Sequence, residues 1–300
     1  MSQPKSLLLV GATGFITESQ SETLERNGIR SIVLEGGLDD SSGLTHLASQ
    51  HDIVVNAATG FHAASARAFI TGLAERKKSV SIDVFYIHLS GTSNLAVGDV
   101  TGLGGERRTF SDKDEDIYAH EAGVDACQPY AQRTADLAVI ETSETLSVRA
   151  YIIMPPTVWG QGTGHFHRVS HQIPMLIRQA LKAGRVEYVA PGSSRLGHVH
   201  VVDLASLFEL VVARAIADPA LPSGRNGYFF ANTGSHSWLE VSEAIAKAGH
   251  ELGVFRSMET VALSLSEAAP KFMGGDETRT EQTLASTSVI WPTMLYRIQG

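Results

Sequence analysis

A glycine-rich segment, GATGFIT at Gly11–Thr17, directly follows a short apolar run near the start of the chain. Here Gly11 permits a tight turn, and Gly14 lets backbone N–H groups approach a pyrophosphate at the start of a helix. The segment therefore predicts a dinucleotide site, although Thr17 replaces the usual third Gly or Ala; an ordinary strand-to-helix turn is the alternative. The predicted cofactor contacts are Gly11, Thr13, Gly14, Phe15 and Ile16.

Two further segments extend this predicted site. Glu35 ends a predicted strand, Ser31–Leu34, roughly 20 residues beyond the glycine loop, where an acid that binds a ribose hydroxyl belongs. Asn56-Ala57-Ala58 follows another predicted strand, and its small side chains let a ligand lie close to the strand's carboxyl end. The alternative for this second segment is a turn with Thr59 as a helix N-cap.

Hydroxyl groups gather at two later points. Ser90-Gly91-Thr92-Ser93 follows the predicted strand Val84–Leu89, where hydroxyls can polarise a carbonyl or form a solvated turn. Tyr130 is a candidate proton donor, but one helical turn later stands Thr134 instead of a cation that would lower its pKa, and Arg133 is expected on another face. The predicted catalytic residues are Ser90, Thr92 and Tyr130.

Two pairs of histidines have the spacing of residues on one face of a strand. His165 with His167, and His198 with His200, are each separated by one residue. Because no carboxylate or thiolate is placed to complete a metal site, we expect substrate-loop or structural roles and no metal. The single cysteine, Cys127, excludes an internal disulfide and has no evident activating partner.

Composition narrows the class of protein. The 300 residues carry 24 basic and 32 acidic side chains, a net charge of −8, and no basic run. This balance argues against nucleic acid or an anionic membrane as partner, and no stretch approaches the ~20 apolar residues of a membrane span. We expect a cytoplasmic monomer or homodimer that binds a small molecule.

The elements that position these residues alternate strand and helix through the first half. Short apolar runs are separated by helical segments, which predicts a doubly wound parallel sheet at residues 1–160. Residues 161–300 are predicted to form a small substrate-covering lobe laced into that core. The strands 199–202 and 228–231 are expected to rejoin the main sheet.

Taken in order, these motifs resemble the extended and atypical short-chain dehydrogenase/reductase superfamily, in its NmrA-like and NAD-dependent epimerase/dehydratase branch. The resemblance covers residues 7 to about 248. The motifs that carry it are GATGFIT at Gly11–Thr17, GLDD at Gly37–Asp40, VVNAAT at Val54–Thr59, HLSGTS at His88–Ser93, YIIMPPTVWGQGTG at Tyr151–Gly164 and HVHVVDLASLFELV at His198–Val211.

The resemblance implies a Rossmann-type fold that binds NAD(P). It places Leu38 and Asp39 near the adenine, Asn56-Ala57-Ala58 beside the ribose and pyrophosphate, and Ser90–Thr92 near the nicotinamide. Pro155, Pro156 and Thr157 would border the nicotinamide and the substrate. Pocket-shaping residues would be Trp159, His165 and His167.

Three departures from the family pattern limit this transfer of roles. The segment between Gly14 and Asp40 is one helix-strand unit too short, so Glu35 is uncertain as a ribose ligand and NAD cannot be told from NADP. The family's Tyr-x-x-x-Lys pair is not intact at Tyr130. The tail after Gly274 does not resemble the usual end of the fold.

Three functions follow from these observations. The leading one is an NAD(P)-dependent oxidoreductase that acts on a small, fairly apolar organic substrate, in specialised metabolism. The alternatives are a redox-neutral isomerase, dehydratase or cyclase on the same fold, and a non-catalytic regulator that senses NAD(P). The incomplete tyrosine-lysine pair motivates both alternatives.

Overall fold

A five-stranded parallel sheet forms the centre of the fold in a computed structural model that describes residues 5–11, 18–104 and 106–293. All neighbouring strands of this sheet run parallel. Its strands are, in spatial order, β1 (Leu7–Val10), β2 (Ile53–Asn56), β3 (Phe85–Leu89), β6 (Arg149–Met154) and β10 (Tyr228–Phe230). β2, β3 and β6 are buried almost throughout, as expected of strands covered on both faces.

Helices cover both faces of the sheet, which confirms the predicted α/β doubly wound class. On one face lie α2 (Ser41–Ala48), α3 (Ala63–Val80) and α5 (Ala131–Leu146), and on the other lies α7 (Val201–Ala217). Gly72 lets α2 and α3 approach closely, because a Cβ there would lie 2.2 Å from the Thr45 carbonyl oxygen.

The edge of the sheet at β1 is open among the described residues. The predicted strand Ser31–Leu34 is wrong: these residues follow α1 (Glu18–Arg26) as irregular chain and pair with no strand. Residues with a high strand propensity form a strand only where a neighbouring strand is available for pairing. Without such a neighbour, Val33 remains 62% exposed. Leu7 and Leu9 of β1 are also exposed, at 44% and 50%.

Smaller sheets occupy the second half. The prediction that a strand at 199–202 rejoins the main sheet is wrong, because β9 (Arg195–His200) lies between β7 (Thr157–Trp159) and β11 (Gly234–Ser237) in a separate sheet. The strand ends at His200, whose side chain accepts a hydrogen bond from the Val202 backbone N–H and caps α7.

A second core packs β8 (Val186–Val189), β12 (Thr260–Leu263), α6 (Gln172–Ala183) and α8 (Trp238–Glu251) around Trp238. The domain division at residue 160 stays a prediction. Among the described residues no helix is both long and apolar enough to cross a bilayer.

The end of the described chain closes back onto the first half. The remaining elements are β4 (Val97–Gly98), β5 (Thr109–Ser111), α4 (Ile117–Cys127), α9 (Leu265–Phe272), α10 (Glu277–Leu284), β13 (Ser286–Thr287) and β14 (Val289–Trp291). β13 pairs with β4, and β14 pairs with β5. The buried Glu281 carboxylate accepts hydrogen bonds from the backbone N–H groups of Val100 and Thr101, both at 2.8 Å.

Candidate functional site

The carboxyl ends of four parallel strands meet at one edge of the main sheet. They are followed by Gly11 after β1, Ala57 after β2, Ser90 after β3 and Pro155 after β6. The last two loops are joined, because the Thr92 N–H donates to the Pro155 carbonyl at 3.1 Å. Ligands of open α/β sheets bind at this edge.

Gly11 and the loop after β2 touch each other. Gly11 has a φ of +88°, and a Cβ there would lie 2.4 Å from the Ala58 Cα. The buried Asn56 side chain fixes this loop by accepting a hydrogen bond from the Ala58 N–H and donating one to the Tyr86 hydroxyl. Gly11, Ala57 and Ala58 therefore form a floor of small residues at the sheet edge.

A cavity of about 1280 Å³ opens at the carboxyl ends of β3 and β6, along the same edge of the sheet. It brings together seven of the residues predicted from sequence, from four separate segments of the chain. They are Ser90, Thr92, Tyr130, Pro155, Pro156, Thr157 and His167. This volume exceeds the usual range for small-ligand sites, so it can hold a substrate together with part of a larger cofactor.

A cluster of hydroxyl and amide groups lines the cavity near the end of β3. Ser93 donates a hydrogen bond to Gln132 Oε1 at 2.6 Å, and the Tyr130 hydroxyl lies 3.4 Å from the Ser93 oxygen. The Thr92 hydroxyl accepts from Ser288 at 3.3 Å. These groups can orient a substrate oxygen.

Among the described residues, no lysine lies beside Tyr130 to activate it. Burial raises its pKa more than the Ser93 hydrogen bond and the nearby arginine charges lower it. Thr134 bonds back to the Tyr130 carbonyl and to Asp125 instead. Contrary to prediction, Arg133 does reach the tyrosine ring, with its guanidinium carbon 5.3 Å from the ring centre.

Behind Ser90 lies a fully buried pair of carboxyl groups that the sequence analysis did not identify. The Ser90 hydroxyl donates to Asp136 at 2.5 Å, and Asn94 donates to Asp136 at 2.7 Å and to Glu121 at 2.8 Å. Burial raises the pKa of Glu121 to about 7, and burial together with the Glu121 charge raises that of Asp136 well above its usual range. The pair therefore holds a proton near neutral pH.

This network continues along the sheet toward the first two loops. His88 Nε2 lies 3.4 Å from Asp136, and its Nδ1 lies 3.2 Å from the Tyr86 hydroxyl that Asn56 contacts. Burial lowers the pKa of His88 to about 4, so the imidazole is neutral at neutral pH. A chain of polar side chains thus connects Ser90 with the loop after β2.

The other predicted site residues lie apart from the cavity. Asp39 accepts a hydrogen bond from His62 at 3.1 Å, and Leu38 precedes it in a short 3₁₀ turn. Glu35 is exposed and does not end a strand, so the basis for its ribose role is lost. Trp159 lines a different cavity, and His165 is exposed outside the lining of both.

Thr13, Gly14, Phe15 and Ile16 lie outside the described residues, and their cofactor contacts stay predictions. In the part of the chain that the structure describes, no group of three His, Cys, Asp or Glu side chains is arranged to hold a metal.

One of the missed acids carried a signal in the sequence. Asp136 stands on the apolar face of α5, one helical turn before Val139 and Ile140, which are fully buried. An ionisable residue at such a position must be buried, and buried carboxyl groups concentrate at functional sites. Glu121 carries no comparable signal, because its helix has no clear apolar stripe in the sequence.

Comparison with known proteins gives one family and several structural neighbours. The sequence profile of the NAD dependent epimerase/dehydratase family matches residues 7–220. An oxidase of an Acremonium species, ucsJ, is 25% identical over 328 residues, which cover 96% of this chain and 92% of the relative.

Solved structures share the fold at low identity. The dTDP-glucose 4,6-dehydratase of Bacillus anthracis, in complex with NAD, has a TM-score of 0.63 at 12% identity. The match covers 99% of this chain and 90% of the dehydratase chain. WbmG of Bordetella bronchiseptica, in complex with NAD and UDP, has a TM-score of 0.57 at 14% identity, with 98% and 88% covered. A GDP-D-glycero-L-gluco-heptose synthase of Campylobacter jejuni, in the presence of NADPH, has a TM-score of 0.58 at 11% identity, with 100% and 94% covered.

Proposed function

The chain belongs to the NAD-dependent epimerase/dehydratase family, and from this premise we propose that it is an NAD(P)-dependent oxidoreductase. Its substrate is a small organic carbonyl compound or alcohol of specialised metabolism. The observation that carries the proposal is the cavity at the ends of β3 and β6, where the hydroxyl groups of Thr92, Ser93 and Tyr130 gather along the same edge of the sheet as Gly11 and Ala58. The similarity to an oxidase supports the same reading.

The residues at the sheet edge suit one half of a nicotinamide cofactor. The floor of Gly11, Ala57 and Ala58 carries nothing larger than a methyl group, so a phosphate group can approach the backbone there. Pro155 and Thr157 would border the nicotinamide end, which supplies or accepts the hydride when bound. No strand lies beyond β1 among the described residues, so the adenosine end has fewer contacts.

Side chains of the protein supply the proton that is transferred together with a hydride. With its pKa raised, the Tyr130 phenol stays protonated at neutral pH and donates to a substrate oxygen that gains negative charge. The phenol donates a hydrogen bond to Ser93, and Ser93 is held in turn by its own hydrogen bond to Gln132. Ser90 connects the cavity to the proton held by the buried carboxyl pair.

The second candidate function is a redox-neutral reaction in the same cavity. The raised pKa of Tyr130 and the absence of a lysine at position 134 make it a weaker acid than a redox site uses, whereas the buried carboxyl pair favours proton transfer. An isomerase, dehydratase or cyclase would use these groups. The NAD(P)-sensing regulator is less favoured, because the cavity is large enough to hold a substrate beside part of a cofactor. The cytoplasmic location and the oligomeric state stay predictions.

The test begins with thermal-shift titrations of the full chain with NAD, NADH, NADP and NADPH. A cofactor at 100 times its Kd adds about 2.7 kcal/mol and raises Tm by several degrees. The cofactor that binds is then mixed, in its reduced form, with a panel of aldehydes, ketones and enones while the reduced nicotinamide absorbance is followed. Oxidation of the cofactor in step with product supports the oxidoreductase.

Two outcomes would contradict this proposal. Product formation without any change in the cofactor's redox state would establish the redox-neutral alternative. Absence of a thermal shift with all four cofactors would overturn the nicotinamide site itself.

A further inference from the structure

A second cavity, of about 650 Å³, lies against one face of the three-stranded sheet β11-β9-β7. Thr157 is paired with His198, Trp159 with His200, and His236 with Leu196. Because directly paired residues of neighbouring strands share a face, the side chains of Trp159, His198 and His236 all stand on this one face. They form the aromatic floor of the cavity.

The rings of this floor are arranged like aromatic pairs in a packed core, yet they border open space. Trp159 meets His200 edge-on at 4.8 Å between ring centres, and His198 and His236 stack at 5.4 Å. Trp159 nevertheless remains 44% exposed. Ile173 and Val241, from α6 and α8, complete an apolar wall.

The lining of this cavity combines apolar and aromatic side chains with neutral polar groups and two histidines. Among the described residues that line it, none is Lys, Arg, Asp or Glu. The Nδ1 atoms of His198 and His236 lie 3.1 Å apart, so one donates and the other accepts, and two charged rings would set N–H against N–H. Burial, with a smaller contribution from His198, also lowers the pKa of His236 to about 4.

The two cavities adjoin each other. Thr157, Val169 and Ser170 line both, so a molecule can extend from the larger cavity onto the aromatic floor. The larger cavity is bordered by Arg168 and Arg279 as well as by Glu209 and Asp276, whereas no described residue that lines the second cavity is a Lys or Arg that would pair with a phosphate or carboxylate. The volume of the second cavity is that of a typical small-ligand site.

We propose that the floor of Trp159, His198 and His236 binds an uncharged, planar aromatic or conjugated ring, and that this ring is the part of the substrate remote from the reacting carbon. The assignment of this ring to the substrate rests on the proposed function, whereas the binding of a ring by the floor does not. A nucleoside diphosphate sugar does not fit this floor, because no Lys or Arg among the described lining residues would pair with its charged groups.

Calorimetric titration of the full chain with 2-naphthol, without cofactor, tests the ring site directly. We expect saturable binding that weakens about tenfold or more in Trp159→Ala, because an aromatic contact and its buried area are lost. Trp159→Phe keeps a ring and should stay within a few-fold of the wild type. Trp291→Ala is the matched control, since this tryptophan is 63% exposed and lines neither cavity.

Two results would overturn the ring site. One is no saturable binding of 2-naphthol to the wild-type chain, and the other is an equal loss in Trp159→Ala and Trp291→Ala. Displacement of 2-naphthol by UDP-glucose would overturn the assigned substrate class. Thermal shifts with NAD and NADP, measured on the same variants, report on the proposed function separately. Binding of 2-naphthol without any cofactor shift would leave the ring site standing and the oxidoreductase refuted.

Discussion

Glu121 and Asp136 are buried, so their ionisation is unfavourable in the folded chain. The free energy of unfolding must therefore depend on pH. Since burial raises the pKa of Glu121 from 4.5 to about 7, the folded chain keeps a proton in this window that the unfolded chain has lost. Stability therefore falls as pH rises from about 4.5 to 7, by at most ~1.4 kcal/mol per pH unit for one proton.

Glu121→Gln should remove the part of this slope that Glu121 contributes, while Asp136, whose pKa is raised first of all by burial, keeps its own part. The amide cannot ionise and ends the repulsion with Asp136, so the variant gains stability relative to the wild type as pH rises. Urea unfolding between pH 5 and 8 measures the difference between the two proteins. His88, whose pKa is lowered to about 4, contributes a slope of the opposite sign below pH 6.5, and this slope is common to both proteins.

The exposed Glu251, in the last turn of α8, provides the control. Glu251→Gln should leave the pH dependence as it is in the wild type. Parallel curves for the wild type and Glu121→Gln would contradict the buried, protonated pair.

Gly11 is the residue on which the floor of the sheet edge depends. Gly11→Ala adds a left-handed strain of about 1–2 kcal/mol and also a Cβ 2.4 Å from the Ala58 backbone, so the loop after β2 must move. We expect the thermal shift caused by the bound nicotinamide cofactor to disappear.

Gly28→Ala is the control for Gly11→Ala, because it adds the same kind of backbone strain without displacing a loop. Gly28 has a φ of +76°, and nothing lies within 4 Å of a Cβ built there. This variant should lose a similar amount of stability from strain and yet keep its cofactor shift. Equal cofactor shifts in the two variants would show that the loop contact does not matter to binding.

At the scale of elements, the packing of α2 against α3 depends on the absence of one side chain. In Gly72→Ala the new Cβ would lie 2.2 Å from the Thr45 carbonyl oxygen, and the two helices must separate. We expect a loss of about 1–3 kcal/mol in the free energy of unfolding, as for other overpacked sites.

Gly123→Ala in α4 is the matched change, because nothing lies within 4 Å of its added Cβ. A helical alanine is favoured over glycine, so this variant should gain about 0.5–1 kcal/mol. Chemical denaturation of both variants measures the two effects. Destabilisation of similar size in both would mean that helix packing is not the cause.

The elements also show what could be predicted from the sequence and what could not. The buried strands β2, β3 and β6 were predictable because a continuous apolar run can only be covered on both faces. The run Ser31–Leu34 has the same composition but no neighbouring ladder, and no property of these four residues reveals that. Likewise His198 and His200 share a face as expected, while their partner His236 comes from a strand 38 residues beyond His198.

At the scale of the whole molecule, the motifs in their order predicted the family correctly, and four of them lie at strand ends of the main sheet, those of β1, β2, β3 and β6. The site was only partly predictable. Ser90, Thr92, Tyr130 and Thr157 do meet in one cavity. The buried acids and the aromatic floor arise from contacts between distant segments, which spacing along the chain does not encode.

The short segment between β1 and β2 has a consequence for association. β1 is the edge of the main sheet among the described residues, and it presents exposed Leu7 and Leu9 on one side. Unprotected apolar edge strands pair with other chains. We therefore expect a mass that rises with concentration in sedimentation equilibrium, through association at β1.

Leu9→Lys should suppress this association, because a lysine on an edge strand opposes pairing with a second sheet. Leu252→Lys is the control, since Leu252 is 78% exposed at the end of α8, far along the chain from β1. If Leu252→Lys lowers the mass as much as Leu9→Lys, general surface hydrophobicity drives association instead of the edge. If neither substitution changes the mass, the copies associate through a different interface, and β1 does not pair with a second chain.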